Sequence, residues 1–371
     1  MTRLLGLLPV FGAICVVACS AGNAAPPATQ QPPPPSAPPS IDHVFVIVLE
    51  NRNFDVTFGP GSKGPYLADT LAKQGALLTQ YYGIGHASLD NYIAMISGIA
   101  PNPSTQGDCP VFTEFAEKGT SPDGQPIGLG CVYPAHVLTI GNQLAAAGKT
   151  WRAYLEDMGN NPAREAPLCA HPAIGAVDPT ERADNTKHDR YATKHNPWVY
   201  FHAVIDSASC SKNVVPLSNL LTDLGSSTPN FSFIAPDLCH DGHDPDCGDE
   251  PGGLEGIDQF LSRWVPLITH SAAFQHGLLV ITFDESGNDD TACCAEPSGP
   301  NTTVPGGGGP GGGRTGAVLL SPYIAPGTIS AVPYNHYSFL RSVEDIFHLP
   351  YLGYAGAKGL VPFGSDVYTK K

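Results

Sequence analysis

Short apolar, β-branched runs alternate with longer amphipathic ones from residue 41 onward. His43 to Leu49, Trp151 to Leu155, Phe231 to Ala235, Leu278 to Phe283 and Gly316 to Leu320 read as buried strands, because each is a nearly continuous apolar stretch of strand length. Between them, Tyr66 to Gln74, Leu89 to Ser97, Ile140 to Ala147, Gly256 to Thr269 and Ser338 to Phe347 place apolar residues at helical spacing. Strands that alternate with helices predict an α/β domain with a mostly parallel central sheet and helices on both faces. Pro101 to Tyr133 and Met158 to Asn213 are rich in Pro, Asp and Cys and predict loops or small insertions. The glycine run Pro305 to Arg314 predicts a mobile surface loop, since ordering so many glycines is costly.

The N-terminus divides from this domain by composition. Residues 1–18 carry one early positive charge and an apolar run, the build of a secretory signal that is too short to span a membrane. Val16-Val17-Ala18-Cys19 resembles a lipobox, so Cys19 is expected to carry lipid and to be the protein's link to the membrane. Cleavage near Ala24 would instead release a secreted protein, and both routes lead out of the cytoplasm. Residues 19–40 then form a lipidated Cys and a Pro-rich linker that cannot bury a core. Residues 41–371 follow as one large α/β domain.

Charge narrows the partners. With 19 Lys and Arg against 34 Asp and Glu, the net charge is −15, which argues against a nucleic acid partner. Eight cysteines beyond Cys19 form an even set with no CxxC, which favours disulfides over zinc. Sequence neighbours suggest Cys109 with Cys131, Cys169 with Cys210 and Cys239 with Cys247, whereas adjacent Cys293 and Cys294 fit no simple scheme.

In a parallel sheet, ligands bind beyond the carboxyl ends of the strands. There the chain places Glu50-Asn51-Arg52-Asn53, then Asp237-Leu-Cys-His240-Asp241-Gly-His243-Asp244, then Asp284-Glu285. Glu50, Asn51, Asp284 and Glu285 are hard oxygen donors suited to a divalent cation whose identity the residues leave open. His240, Asp241 and His243 suit either a second metal or donors to a phosphate. Ser88 occupies the place of an N-cap before an apolar helix, where backbone N–H groups favour a phosphate and a nearby cation would activate the hydroxyl. His336 stands just before the last helix, and His195 lies in an aromatic loop that either walls a pocket or is structural.

These segments resemble the bacterial phosphoesterase family of acid phosphatases and non-specific phospholipases C, related to the alkaline phosphatase superfamily. Glu50-Asn51-Arg-Asn-Phe-Asp looks like the family's Glu-Asn-x-Ser-Phe-Asp. His86-Ala-Ser88-Leu-Asp-Asn91-Tyr looks like His-Pro-Ser-x-x-Asn-Tyr, and Pro236 to Asp244 resembles Pro-Asn-Leu-Cys-Asn-Asp-Met-His-Asp, with His240 in place of an Asn. Asn335-His336-Tyr-Ser-Phe-Leu-Arg-Ser-Val-Glu-Asp has its counterpart nearly word for word. The resemblance implies Ser88 as the phosphorylated group, a metal held by Glu50, Asn51, Asp284 and Glu285, and Asn91, His240, Asp241, His243 and His336 around the phosphate or a second ion. It implies hydrolysis of a small phosphomonoester or a phosphoinositide. A phospholipase C and a non-catalytic, lipid-anchored binding protein are the alternatives.

Overall fold

The computed structural model describes residues 1, 38–248 and 250–370. The signal segment, Cys19 and most of the Pro-rich linker lie outside the described residues. Eight strands form the central sheet: β1 (His43–Leu49), β2 (Ala76–Leu78), β3 (Trp151–Leu155), β4 (Val214–Pro216), β5 (Phe231–Ala235), β6 (Gly277–Phe283), β7 (Ala317–Leu320) and β8 (Thr328–Ser330). Their order is β8-β2-β7-β6-β1-β5-β3-β4. Every neighbouring pair is parallel except the two made by β7, so the expected mostly parallel α/β sheet is what forms.

β1 shows why the runs are apolar throughout. Val44, Val46 and Val48 enter one core, while Phe45, Ile47 and Leu49 enter the core on the other face. Successive side chains of a strand point to opposite faces, and a central parallel strand is covered on both. Each such side chain contributes about 1.5–3 kcal/mol on burial. The first core is closed by α1 (Ser88–Ser97), α2 (Ile140–Ala146) and α4 (His336–Phe347), and the second by α3 (Gly253–Thr269). A π-helical turn at Tyr66–Leu71 covers the second face as well. Its free amides at Tyr66 and Leu67 are taken by the Asp258 carboxylate of α3 at 2.8 and 3.0 Å, which pins this segment to its neighbour.

The structure departs from expectation at the sheet margins and in the glycine run. β2, β4 and β8 have three residues each, too few to show a period. In the first insertion, Ala116–Thr120 and Pro126–Leu129 pair as an antiparallel hairpin whose first strand is wholly exposed, so no alternation marks it. Gly311, Gly312 and Gly313 are buried rather than a mobile surface loop. A Cβ at Gly312 would lie 2.3 Å from the Gly85 carbonyl, and one at Gly313 1.7 Å from the Asp289 carbonyl. Glycine is needed there because backbone packs on backbone, and Ser286 and Gly83 donate to the carbonyls of Gly312 and Gly313. The three expected disulfides form, and Cys293 pairs with its neighbour Cys294.

Glu344 of α4 is fully buried; one carboxyl oxygen accepts from the Leu352 amide at 2.8 Å and the other has no hydrogen-bond partner. Burial pushes its pKa up to about 9, against the smaller pull of that amide. Between about 4.5 and 9 the folded chain therefore holds a proton that the unfolded chain releases, so stability falls as pH rises through this window. We expect Glu344→Gln to melt with wild type near pH 4.5 and to exceed it by about 1–3 kcal/mol at high pH. Denaturant titrations across that range check this, and parallel pH slopes for the two proteins would refute it.

Candidate active site

The carboxyl ends of β1, β5 and β6 are sewn together by main chain. Glu50 N–H donates to the Asp241 carbonyl at 2.8 Å, and Asp284 N–H donates to the Leu49 carbonyl at 2.8 Å. Asn51 adopts a left-handed φ of 51°, uncommon for a residue with a side chain, and its amide donates to Asp284 Oδ1 at 3.1 Å. The Arg52 guanidinium donates to the carbonyls of Asn51 at 2.8 Å and Gly242 at 2.5 Å, tying the first polar segment to the Asp241 loop. Gly253 leaves room for it, since a Cβ there would lie 3.2 Å from the guanidinium.

Ser88 is the first residue of α1, following Ala87, and its side chain does not cap the helix. Asp108 does that work instead, with its Oδ1 accepting from Leu89 N–H at 3.0 Å. The Ser88 hydroxyl is thereby free and donates to Glu50 Oε2 at 2.9 Å. Glu50 Oε1 lies 3.3 Å from His195 Nε2, and His195 Nδ1 lies 3.0 Å from Asp241 Oδ2. Neither contact has hydrogen-bond alignment, and both ring nitrogens, Glu50 Oε1 and Asp241 Oδ2 are buried without a hydrogen-bond partner. A neutral imidazole has one N–H and cannot serve both carboxylates.

Burial pushes Glu50 up to about 8, with Asp284 adding to it, and raises Asp241, Asp284 and Glu285 well above the ordinary carboxyl range. Burial also draws His195 down to about 4. Asp284 Oδ2 and Asn51 Oδ1 are further buried oxygens without a partner. Oxygen donors and an imidazole that converge while lacking hydrogen bonds fit a divalent cation, which would let the carboxylates ionise. Glu50, His195 and Asp241 offer ligand atoms within 4.8 Å of one another.

The other expected residues take distinct places. Asn91 is spent on main chain: its Oδ1 accepts from Ile84 and Gly85 at 2.7 and 3.1 Å, and its Nδ2 donates to the carbonyls of Gly85 and Ala87 and, at 3.3 Å, to Glu285 Oε2. It holds the loop that presents Ser88. His336 is fully buried and bonds the Asp284 carbonyl and the Tyr81 hydroxyl, so it braces Asp284 from behind. His240 joins Glu156 at 3.0 Å and Asp237 at 3.5 Å in a separate group that also meets Arg190 and Glu250. Glu156, Asp237 and His240 form a second set with metal-ligand spacing, and there Arg190 also pairs with Asp237 and Glu250. Burial lowers His240, while the hydrogen bond and charge of Glu156 together with the charges of Asp237 and Glu250 outweigh this and leave it raised to about 9. His243 bonds Asp244 at 2.9 Å and stands with its ring 6.0 Å from that of His195. Sequence reasoning left His195 undecided; its one signal was an ionisable Lys-His pair inside an aromatic run.

Known proteins can now be set beside this geometry. The model of the Phosphoesterase family matches residues 62–350. The phosphatidylinositol-3-phosphatase of Mycobacterium tuberculosis is 26% identical over 319 residues, covering 86% of this chain and 81% of that protein. A phosphate-repressible acid phosphatase of Penicillium chrysogenum is 28% identical over 316 residues, and the chain spans 61% of its length. Among solved structures, a protein of the alkaline phosphatase superfamily from Vibrio parahaemolyticus shares the fold at a TM-score of 0.50 and 13% identity, over 85% of this chain and 68% of its own. With a family match across most of the residues and its polar strand ends gathered on one edge of the sheet, the chain belongs to the Phosphoesterase family and is a phosphoric ester hydrolase.

Proposed function

We propose that the chain hydrolyses phosphate monoesters through a phosphoserine formed on Ser88, with a divalent cation at the Glu50 cluster. The observation that carries this reading is the Ser88 hydroxyl, freed from capping and donating to Glu50 Oε2 at 2.9 Å at the start of a buried ten-residue helix. Both relatives named above are phosphatases by name, which supports a monoester over the phosphodiester of a phospholipase C.

Glu50, Asn51, Asp241 and Asp284, with His195 beside them, would hold the cation, and Glu285 lies at the edge of the group. When bound, it would offset the negative charge of the carboxylates and of the phosphoryl group. Glu50 Oε2, which accepts the Ser88 hydroxyl at 2.9 Å, takes its proton as Oγ attacks phosphorus. With the Leu89 amide held by Asp108, it is the positive end of the α1 dipole that would favour the phosphoryl oxygens. The Oγ–P bond forms as the bond to the leaving alkoxide breaks. His243, whose hydrogen bond to Asp244 raises its pKa above the ordinary value and whose ring stands beside that of His195, would give the alkoxide a proton. Water, giving a proton to His243, then attacks the phosphoserine, and Ser88 Oγ leaves with the proton held on Glu50, which releases phosphate and restores the hydroxyl. Four disulfides accord with an oxidising compartment, and lipidation at Cys19 would hold the enzyme at the outer face of a membrane.

Turnover of an aryl phosphomonoester should fall by on the order of a thousandfold or more in Ser88→Ala, with an unchanged melting curve. Acid-quenched wild type given labelled substrate should carry phosphate on Ser88; cleavage of a choline phosphodiester alone would overturn the monoester reading. Chelation should remove activity reversibly, and calorimetric titration should show His195→Ala and Asp241→Asn binding the restoring cation about tenfold or more weakly. Arg52→Ala should weaken the same binding about tenfold and Arg52→Lys less so, because the guanidinium bridges two loops without touching a ligand atom; equal affinity in all three proteins would remove that role.

A further inference from the structure

At the amino-terminal edge of the sheet, opposite the site of Ser88, lies a cleft of about 410 Å³ whose walls include Lys149, Thr150, Arg152, Lys212, Ser227 and Thr228. Among the described residues lining it there are three cations and no Asp or Glu, in a chain whose acids outnumber its bases 34 to 19. Arg152 is held by Asp223 at 2.5 Å, which fixes its position at the start of β3. Lys149 stands over the Phe347 ring at 5.2 Å and Lys212 is exposed; among the described residues neither has a carboxylate within ion-pair distance. With Arg152 already paired, the two lysines are the charges without a counter-ion, and an anion would recover the free energy of holding them on one cleft.

The position of the cleft selects among anions. Thr150 N–H donates to Asn230 Oδ1 at 3.0 Å, and Asn230 Nδ2 donates to the Asp42 carbonyl at 3.0 Å. The cleft is therefore two hydrogen bonds from the point where the chain enters β1. We propose that this basic cleft binds the phosphate of an anionic phospholipid head group, so that the domain rests on an anionic bilayer by its amino-terminal edge. The catalytic edge then faces the aqueous side, and the ester reaches Ser88 from solution. Two lysines near an anionic surface are enough to orient a domain but not to recruit it alone. The inference is independent of the Ser88 chemistry and rests on the lipid anchor proposed at Cys19, which would hold the domain at the bilayer.

The test is hydrogen exchange on the lipidated full chain bound to vesicles of phosphatidylcholine alone or of equal parts phosphatidylcholine and phosphatidylglycerol; a full chain that carries no lipid and joins neither vesicle would overturn the proposal through its anchor. Amides around Lys149 to Arg152 and Lys212 should exchange about tenfold more slowly on the anionic vesicles only, and the double variant Lys149→Ala with Lys212→Ala should lose that difference. The variant should keep wild-type turnover of a soluble aryl monoester, which confirms its fold; failure of wild type to turn that ester over would count against the hydrolase reading and leave the exchange result standing. Equal exchange on both lipids, or slowing that survives the double variant, would overturn the proposal. Equal slowing by inorganic phosphate at the same phosphate concentration would overturn the lipid assignment.

Discussion

Negative charge buried at the carboxyl edge of the sheet is the constraint on which the rest depends. Glu50, Asp241 and Asp284 are fully buried within one cluster, with Glu285 at its edge and few cations nearby. Such an arrangement would open or neutralise itself unless the framework held it shut and a cation compensated it. The framework is the set of main-chain bonds that join the ends of β1, β5 and β6, together with two apolar cores that leave those strand ends nowhere else to go.

Local rules are broken where this constraint is met. Asn51 takes a left-handed backbone so that its amide reaches Asp284. Ser88 gives up the capping role that its place before a helix predicts, and Asp108 supplies it from a disulfide-stapled insertion. Backbone packs on backbone at Gly83 to Gly85 and Gly312 to Gly313, which is why a glycine run is ordered here. Each departure from local preference sits within the ring of residues that positions Ser88 or Asp284, as expected if stability elsewhere offsets strain at a site of chemistry.

The histidines divide by burial and partner rather than by position in the chain. His195 lies between two carboxylates and is neutral by burial, His336 braces a carbonyl from behind, and His240 is a cation in its own ion network. Three residues of one type thus have three physical characters, and only His195 meets the oxygens that Ser88 faces.

The sequence by itself determined the five long strands, the helices between them and the three places where acid residues follow a strand. Those features are local: a continuous apolar run of strand length is readable without knowing its partners. It also placed Glu50, Asp241 and Asp284 on one edge, because parallel strands put their carboxyl ends together. Only the tertiary structure decided that the short strands β2, β4 and β8 exist, that Asp108 caps α1, that Asn91 serves the main chain and that His195 closes the cluster with Asp241. Each of these depends on a contact between residues distant in sequence, made where packing brings unrelated segments together, and no spacing along the chain encodes it.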